Sequence, residues 1–116
     1  MYSKELLKGT LKPILLKLLQ DRGKMYGYEM VQSVKELSLG KIQIKEGSLY
    51  PILHSLRAEG VLETESRHVG GRVRKYYSIS QQGQKKVESS VGELSDFVHT
   101  LHHILHPKSD PNHEPV

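Results

Sequence analysis

Between Lys45 and Ile79 the chain places an amphipathic segment directly before a basic hairpin. Leu49, Ile52, Leu53 and Leu56 recur at i, i+3, i+4 and i+7, the spacing of one apolar helical face. Tyr50, His54, Ser55 and Arg57 point elsewhere, and each can hydrogen-bond. Gly60 is placed to stop the helix, because helix ends use the left-handed conformation glycine accepts. A start near Ser48 would put Pro51 in the first turn, where its missing N–H costs little. The hairpin follows: Val61 to His68, a turn at Val69-Gly70-Gly71-Arg72, then Val73 to Ile79. Gly70-Gly71 supplies the positive φ angles of a tight or slightly bulged turn. Leu62, Thr64 and Ser66 are expected on one face, and Tyr77 and Ile79 on another. Arg67, Arg72, Arg74 and Lys75 make the tip and return strand cationic. A rigid helix fit for a groove, with a cationic flap beside it, outlines a winged helix-turn-helix.

The flanking segments complete that outline. Residues 1–9 read as a short helical lead-in, broken at Gly9-Thr10. Thr10 is expected as an N-cap, with Pro13 in the first turn. Leu11, Ile14, Leu15, Leu18 and Leu19 then predict a helix to about Gln20. Asp21 to Lys24 form a turn, and a second helix runs from about Tyr28 to Leu37, ended by Gly40. Lys41-Ile42-Gln43-Ile44-Lys45 alternates apolar and polar, which predicts a short strand. Ser80 is expected to cap a last helix, about Gln81 to His106, closed by Pro107. The fold class is α+β, mostly α. Residues 1–80 are expected to form a winged helix-turn-helix DNA-binding domain, 81–106 a C-terminal dimerisation helix, and 107–116 a disordered tail, since that stretch lacks apolar periodicity.

That last helix carries Val87, Val91, Leu94, Val98, Leu101 and Leu105 in a heptad seam, flanked by Phe97 and Ile104. A second copy would bury it, since helix-turn-helix proteins use two-fold symmetry to read two half-sites. Packing on the first helix of the same chain is the other reading.

Composition narrows the classes. A chain of 116 residues supports one core, and the absence of cysteine excludes disulfides, thiolate catalysis and thiolate metal sites. No apolar run is long enough to cross a bilayer and no signal segment opens the chain, so the expected location is the cytoplasm. Residues 84–116 hold three lysines against five carboxylates, a net of −2, so residues 1–83 carry +6 of the overall +4. The basic excess thus sits with the helix and hairpin and favours a polyanion partner. No Walker loop, cysteine nucleophile or carboxylate pair in a cleft signature marks an enzyme.

Five pieces in order carry a resemblance: Leu7-Lys8-Gly9-Thr10-Leu11; Met25-Tyr26-Gly27-Tyr28-Glu29-Met30; Gly47-Ser48-Leu49-Tyr50-Pro51-Ile52-Leu53; Leu56-Arg57-Ala58-Glu59-Gly60-Val61-Leu62; and Gly70-Gly71-Arg72 with Arg74 to Ser80, then Gly83. The chain resembles PadR-like transcriptional regulators, in the short subgroup with a single C-terminal helix. The resemblance implies a dimeric winged-helix repressor on an inverted-repeat promoter site, often its own. It also gives Tyr50 a DNA-contacting role, against which stands a half-buried tyrosine packing under the wing.

The remaining roles follow from residue chemistry. Ser48 and the helix's first amides would approach phosphate, or Ser48 would simply cap. Lys45 precedes them as a phosphate contact. His54 and Ser55 could reach base edges or stay merely exposed. Arg57 could instead pair with Glu59 or Glu63. Gly70, Gly71 and Arg72 form a tip suited to a minor groove, with Arg74 and Lys75 on phosphate. Tyr26, Tyr28, Tyr76 and Tyr77 read as core and interface residues. The dimer interface is expected from Leu7, Leu11, Val87, Val91, Leu94, Phe97, Val98, Leu101 and Leu105. An effector pocket lined by Leu7, Leu11, Leu94, Phe97 and Val98 competes with the same residues as dimer core. Asp96, His99, His102, His103 and His106 share a helical face, which suits a zinc or nickel site or only a polar face. No cofactor is expected. A metal-sensing repressor and a protein-binding winged helix remain as alternatives. The second would need an exposed apolar patch on the probe helix.

Overall fold

The computed structural model describes residues 2–107. The tail expected to be disordered therefore lies, from residue 108 on, outside the described residues. The elements are α1 (Lys4–Leu7), α2 (Leu11–Arg22), β1 (Met25–Tyr26), α3 (Gly27–Leu37), α4 (Glu46–Ala58), β2 (Leu62–Val69), β3 (Arg72–Ile79), a 3₁₀ turn (Gln81–Gly83) and α5 (Gln84–Leu105). This is a mostly helical winged helix-turn-helix with a three-stranded sheet and a long last helix. One core joins the head: Leu15, Leu16 and Leu19 of α2, Met30 of α3, Leu49, Leu53 and Leu56 of α4 and Val87 of α5 are all fully enclosed.

The sheet runs β1-β3-β2, antiparallel throughout. Its first strand is Met25–Tyr26 rather than the expected Lys41 to Lys45. The latter segment is loop: Ser38 Oγ accepts the Ile42 N–H at 2.8 Å, which removes that donor from any ladder. Ile44 is buried and Ile42 half-buried, so the apolar alternation anchors a loop instead of a strand. Two more expectations need correction. Thr10 occupies the position before α2, but its hydroxyl donates backwards to the Leu7 carbonyl at 2.7 Å instead of capping. Ser80 caps the 3₁₀ turn, accepting from the Gly83 N–H at 3.0 Å, so α5 starts at Gln84.

Two helices end in the same hydrogen-bonded motif with different residues at its left-handed position. After α4, Val61 N–H bonds the Leu56 carbonyl and Gly60 N–H the Arg57 carbonyl, both at 2.9 Å, with Gly60 at φ 79. After α3, Gly40 N–H bonds the Lys35 carbonyl and Leu39 N–H the Glu36 carbonyl, which leaves Leu39 at φ 56. A Cβ in that region is strained, and Leu39 buries nothing to compensate, being 87% exposed. Leu39→Gly is expected to stabilise the fold by about 1 kcal/mol, the strain relief less glycine's own entropy cost. A urea midpoint that falls or stays fixed would count against this account.

Candidate nucleic-acid interface

α4 is seated by Leu49, Leu53 and Leu56, all buried, with Ile52 half-buried beside them. That leaves Pro51, His54, Ser55 and Arg57 exposed. Tyr50, His54 and Arg57, at i, i+4 and i+7, line one flank. The Tyr50 ring lies 6.2 Å from that of His54. Its hydroxyl rests against Gly27 at the start of α3, where a Cβ would stand 2.5 Å from it. Glycine at that position is what lets the phenol lie there. Burial pushes the Tyr77 phenol up from its ordinary pKa; the nearby Tyr50 adds to that and the Arg57 guanidinium opposes it. Tyr50 is half-buried packing as well as a candidate contact.

α4 begins at Glu46, two residues before the expected start, so Lys45 and not Ser48 holds the cap position. Ser48 is half-buried, and its N–H bonds the Lys45 carbonyl at 2.9 Å. No side chain caps this terminus, and Lys45 is exposed beside it. The earlier start also places Pro51 in the second turn. Arg57 forms no ion pair among the described residues; Glu59, its expected partner, meets Lys12 at 3.4 Å.

The wing is a tight two-residue hairpin with no bulge: Val69 pairs Arg72, and Gly70 and Gly71 take φ 54 and 77. Its register corrects the expected faces. Leu62 opposes Ile79 and Thr64 opposes Tyr77, so these four share one face. Strand alternation also separates Arg74 from Lys75, the two cations expected together on phosphate. Lys75 lies with Ser66 and Tyr77, while Arg72 and Arg74 lie on the other face with Arg67 and Tyr76. There Arg74 sits 4.4 Å over the Tyr26 ring and Arg67 5.1 Å over Tyr76, and the two rings meet edge to face at 5.5 Å. Glu65 accepts from Arg67 Nε at 2.6 Å and from Lys24 Nζ at 3.1 Å. These hydrogen bonds, Arg67's foremost, hold the Glu65 carboxyl below its ordinary 4.5. Their contribution is present above that range and lost as pH falls through the lowered value. Arg72 and Lys75 are left exposed without an ion pair among the described residues. The ladder was legible in principle, because Arg67 and Arg74 become cross-strand neighbours once the turn is fixed at two residues. Of the tyrosines expected in core or interface, Tyr28 is not in the core: it is 64% exposed on the first turn of α3.

α5 divides the expected seam. Val87 is wholly enclosed in its own head, and Val91 and Leu11 pack against that core. Val87 is therefore corrected from interface to interior, because the first turns of α5 lie on α2. Leu7 and Leu94 are half-buried, and Phe97, Val98, Leu101, Ile104 and Leu105 are exposed. A cleft of about 590 Å³ between α2, α3 and α5 is lined by Ile14, Leu18, Val34, Leu37, Leu94 and Val98. A second, of about 410 Å³, takes Leu94 and Phe97 along with Lys8, Thr10 and Glu93. Leu7 and Leu11 line neither of these two clefts. Asp96 and the four histidines do not converge as one site: no three acidic or histidine side chains among the described residues could hold an ion together. His99 meets His103, and His102 meets His106.

A core-seated helix with a polar outer side, next to a two-stranded flap with an exposed arginine, defines a winged helix-turn-helix of the DNA-binding class. Residues 15–89, which take in α4 and the whole wing, match the model of the "Transcriptional regulator PadR-like family". A protein of Lysinibacillus sphaericus is 31% identical over 97 residues, covering 83% of this chain and 88% of that one. The structure of smu.1704 from Streptococcus mutans UA159 superposes with a TM-score of 0.74 at 30% identity, over 98% of this chain and 100% of that one. A PadR family transcriptional regulator from Eggerthella lenta gives 0.73 at 28% identity, over 90% and 88%. The chain belongs to the PadR-like transcriptional regulator family. It is accordingly a DNA-binding regulator and not an enzyme.

Proposed function

We propose that the protein is a homodimeric repressor acting in the cytoplasm, each protomer docking α4 and its wing on one half of an inverted-repeat promoter site. The observation that carries this is the seating of α4: three buried leucines fix it, and its exposed side chains are polar apart from the isolated Pro51 and Ala58. That outer side offers no apolar patch for a protein partner. Lys45, Ser48 and the uncapped first turn are assigned to phosphate, and Tyr50, His54, Ser55 and Arg57 to the groove. Gly70 and Gly71 let the tip approach closely, and Arg72 enters the minor groove. Lys75 meets phosphate on one face of the wing. Arg74, stacked on Tyr26, orients the other. Phe97, Val98, Leu101 and Leu105 join the two copies, with Leu7 and Leu94 at the edge. A small apolar effector in the cleft between α2, α3 and α5 would act on the same helix.

Gel shift and footprinting on the gene's own upstream region test the reading. Retardation is expected at low salt, with affinity falling steeply as salt rises, because neutralised phosphates release counterions. Tyr50→Phe keeps the ring against Gly27 and removes the hydroxyl. It should weaken specific binding by about 1–3 kcal/mol with the urea midpoint unchanged. No retardation at low salt would end the proposal, and an equal affinity for Tyr50→Phe would remove that hydroxyl from the site.

A further inference from the structure

His99 and His103 stand one turn apart on α5, both exposed, with ring centroids 4.6 Å apart and planes at 88°. Their Nε2 atoms face each other at 3.2 Å. One imidazole cannot donate and accept through the same nitrogen, so the pair holds at most a single N–H···N bond there. The separation has a second meaning. Zinc binds imidazole nitrogen at about 2.0–2.1 Å, and two such bonds at the tetrahedral angle place the nitrogens roughly 3.3 Å apart. The separation of the two nitrogens is therefore close to the bite of a tetrahedral ion, and a small turn of the rings would aim both at it. α5 ends at Leu105, so the site lies near the helix C-terminus, whose unpaired carbonyls favour positive charge.

We propose that His99 and His103 chelate a divalent transition ion, Zn²⁺ first, through their two Nε2 atoms, with water completing the shell. Imidazole nitrogen suits zinc and nickel and is a poor choice for magnesium or calcium. Asp96 and His102 are not ligands, in keeping with the lack of any three-residue cluster among the described residues. The chelate clips one turn of α5 beside Leu101, Ile104 and Leu105, which protrude from the protomer. It stands independently of the DNA reading.

The test is calorimetric titration of the full chain with Zn²⁺ alone, for the native protein and for His99→Gln, His103→Gln and His102→Gln. All three histidines are exposed, so the helical circular dichroism should be the same in each variant. The native chain is expected to take one Zn²⁺ per protomer. His99→Gln and His103→Gln should each weaken uptake by about tenfold or more, since loss of a mere supporting group already costs a zinc site that much. His102→Gln should stay within about twofold. In NMR, Zn²⁺ should shift the ring signals of His99 and His103 and leave His54 and His68 in place. Absence of uptake, or a loss confined to one of the two variants, overturns the chelate and leaves a hydrogen-bonded imidazole pair. Equal weakening by His102→Gln overturns it as well.

Discussion

Leu53→Ala should cost the fold about 2–5 kcal/mol, the range for deleting an enclosed leucine side chain. Leu53 is 0% exposed, at the centre of the α4 stripe, with Leu49 and Leu56 on either side. A domain of this size holds only about 5–15 kcal/mol in total, so one truncation would use a large share of it. The cavity would open directly beneath the helix that presents Tyr50, His54 and Arg57. DNA affinity should therefore fall for a reason separable from contact chemistry. The urea midpoint should drop with its slope unchanged, and binding should recover at temperatures where the variant is fully folded. Tyr50→Phe should do the reverse, losing affinity with the fold intact. A loss of stability below about 1 kcal/mol for Leu53→Ala would mean that the site collapses around the gap, and that α4 is held chiefly by its ends.

The comparison of these two variants depends on features whose legibility in the sequence differed. Leu49, Ile52, Leu53 and Leu56 announced their helix because a period of 3.6 residues is local information. Gly70-Gly71 announced its turn because two successive positive φ angles leave few other residues possible. The strand at Met25–Tyr26 gave no such signal. Two residues carry no period, and this strand exists only because β3 offers Tyr76 and Tyr77 as partners. The alternation at Lys41 to Lys45 misled for the complementary reason. Ile44 goes into the core from a loop, and periodicity cannot tell an anchored loop from a strand. On the wing, a count of charges does not tell which face each occupies. Once the register is fixed, Arg74 is occupied with Tyr26, and Lys75 lies on the opposite side. The placement of Tyr50 against Gly27 was equally hidden, since it joins residues on two helices through a contact that only the packed fold creates.

The seam of α5 was visible as a pattern, but a heptad does not say what covers it. The structure assigns Val87 and Val91 to the head of their own protomer and leaves Phe97 54% and Leu101 37% exposed. Substituting Val87 would therefore test folding, whereas the exposed pair can test association. The double variant Phe97→Asp with Leu101→Asp places two carboxylates on a face that the proposed dimer buries. Each would have to lose its hydration without a partner, at a cost of several kcal/mol per ion. Sedimentation should find a folded monomer, since neither side chain belongs to the head core. The DNA consequence should be larger than that of any single contact. Two joined heads bind the second half-site as an intramolecular event, and losing that linkage reduces affinity by about 10²–10⁴. Affinity for a lone half-site should stay near that of a single native head, which separates lost pairing from lost contact. A variant that remains dimeric, or binds the paired site as tightly as the native chain, would place the two-fold contact elsewhere. Tyr2, just before α1, and Leu6, on it, would then be the candidates for that contact, both of them exposed.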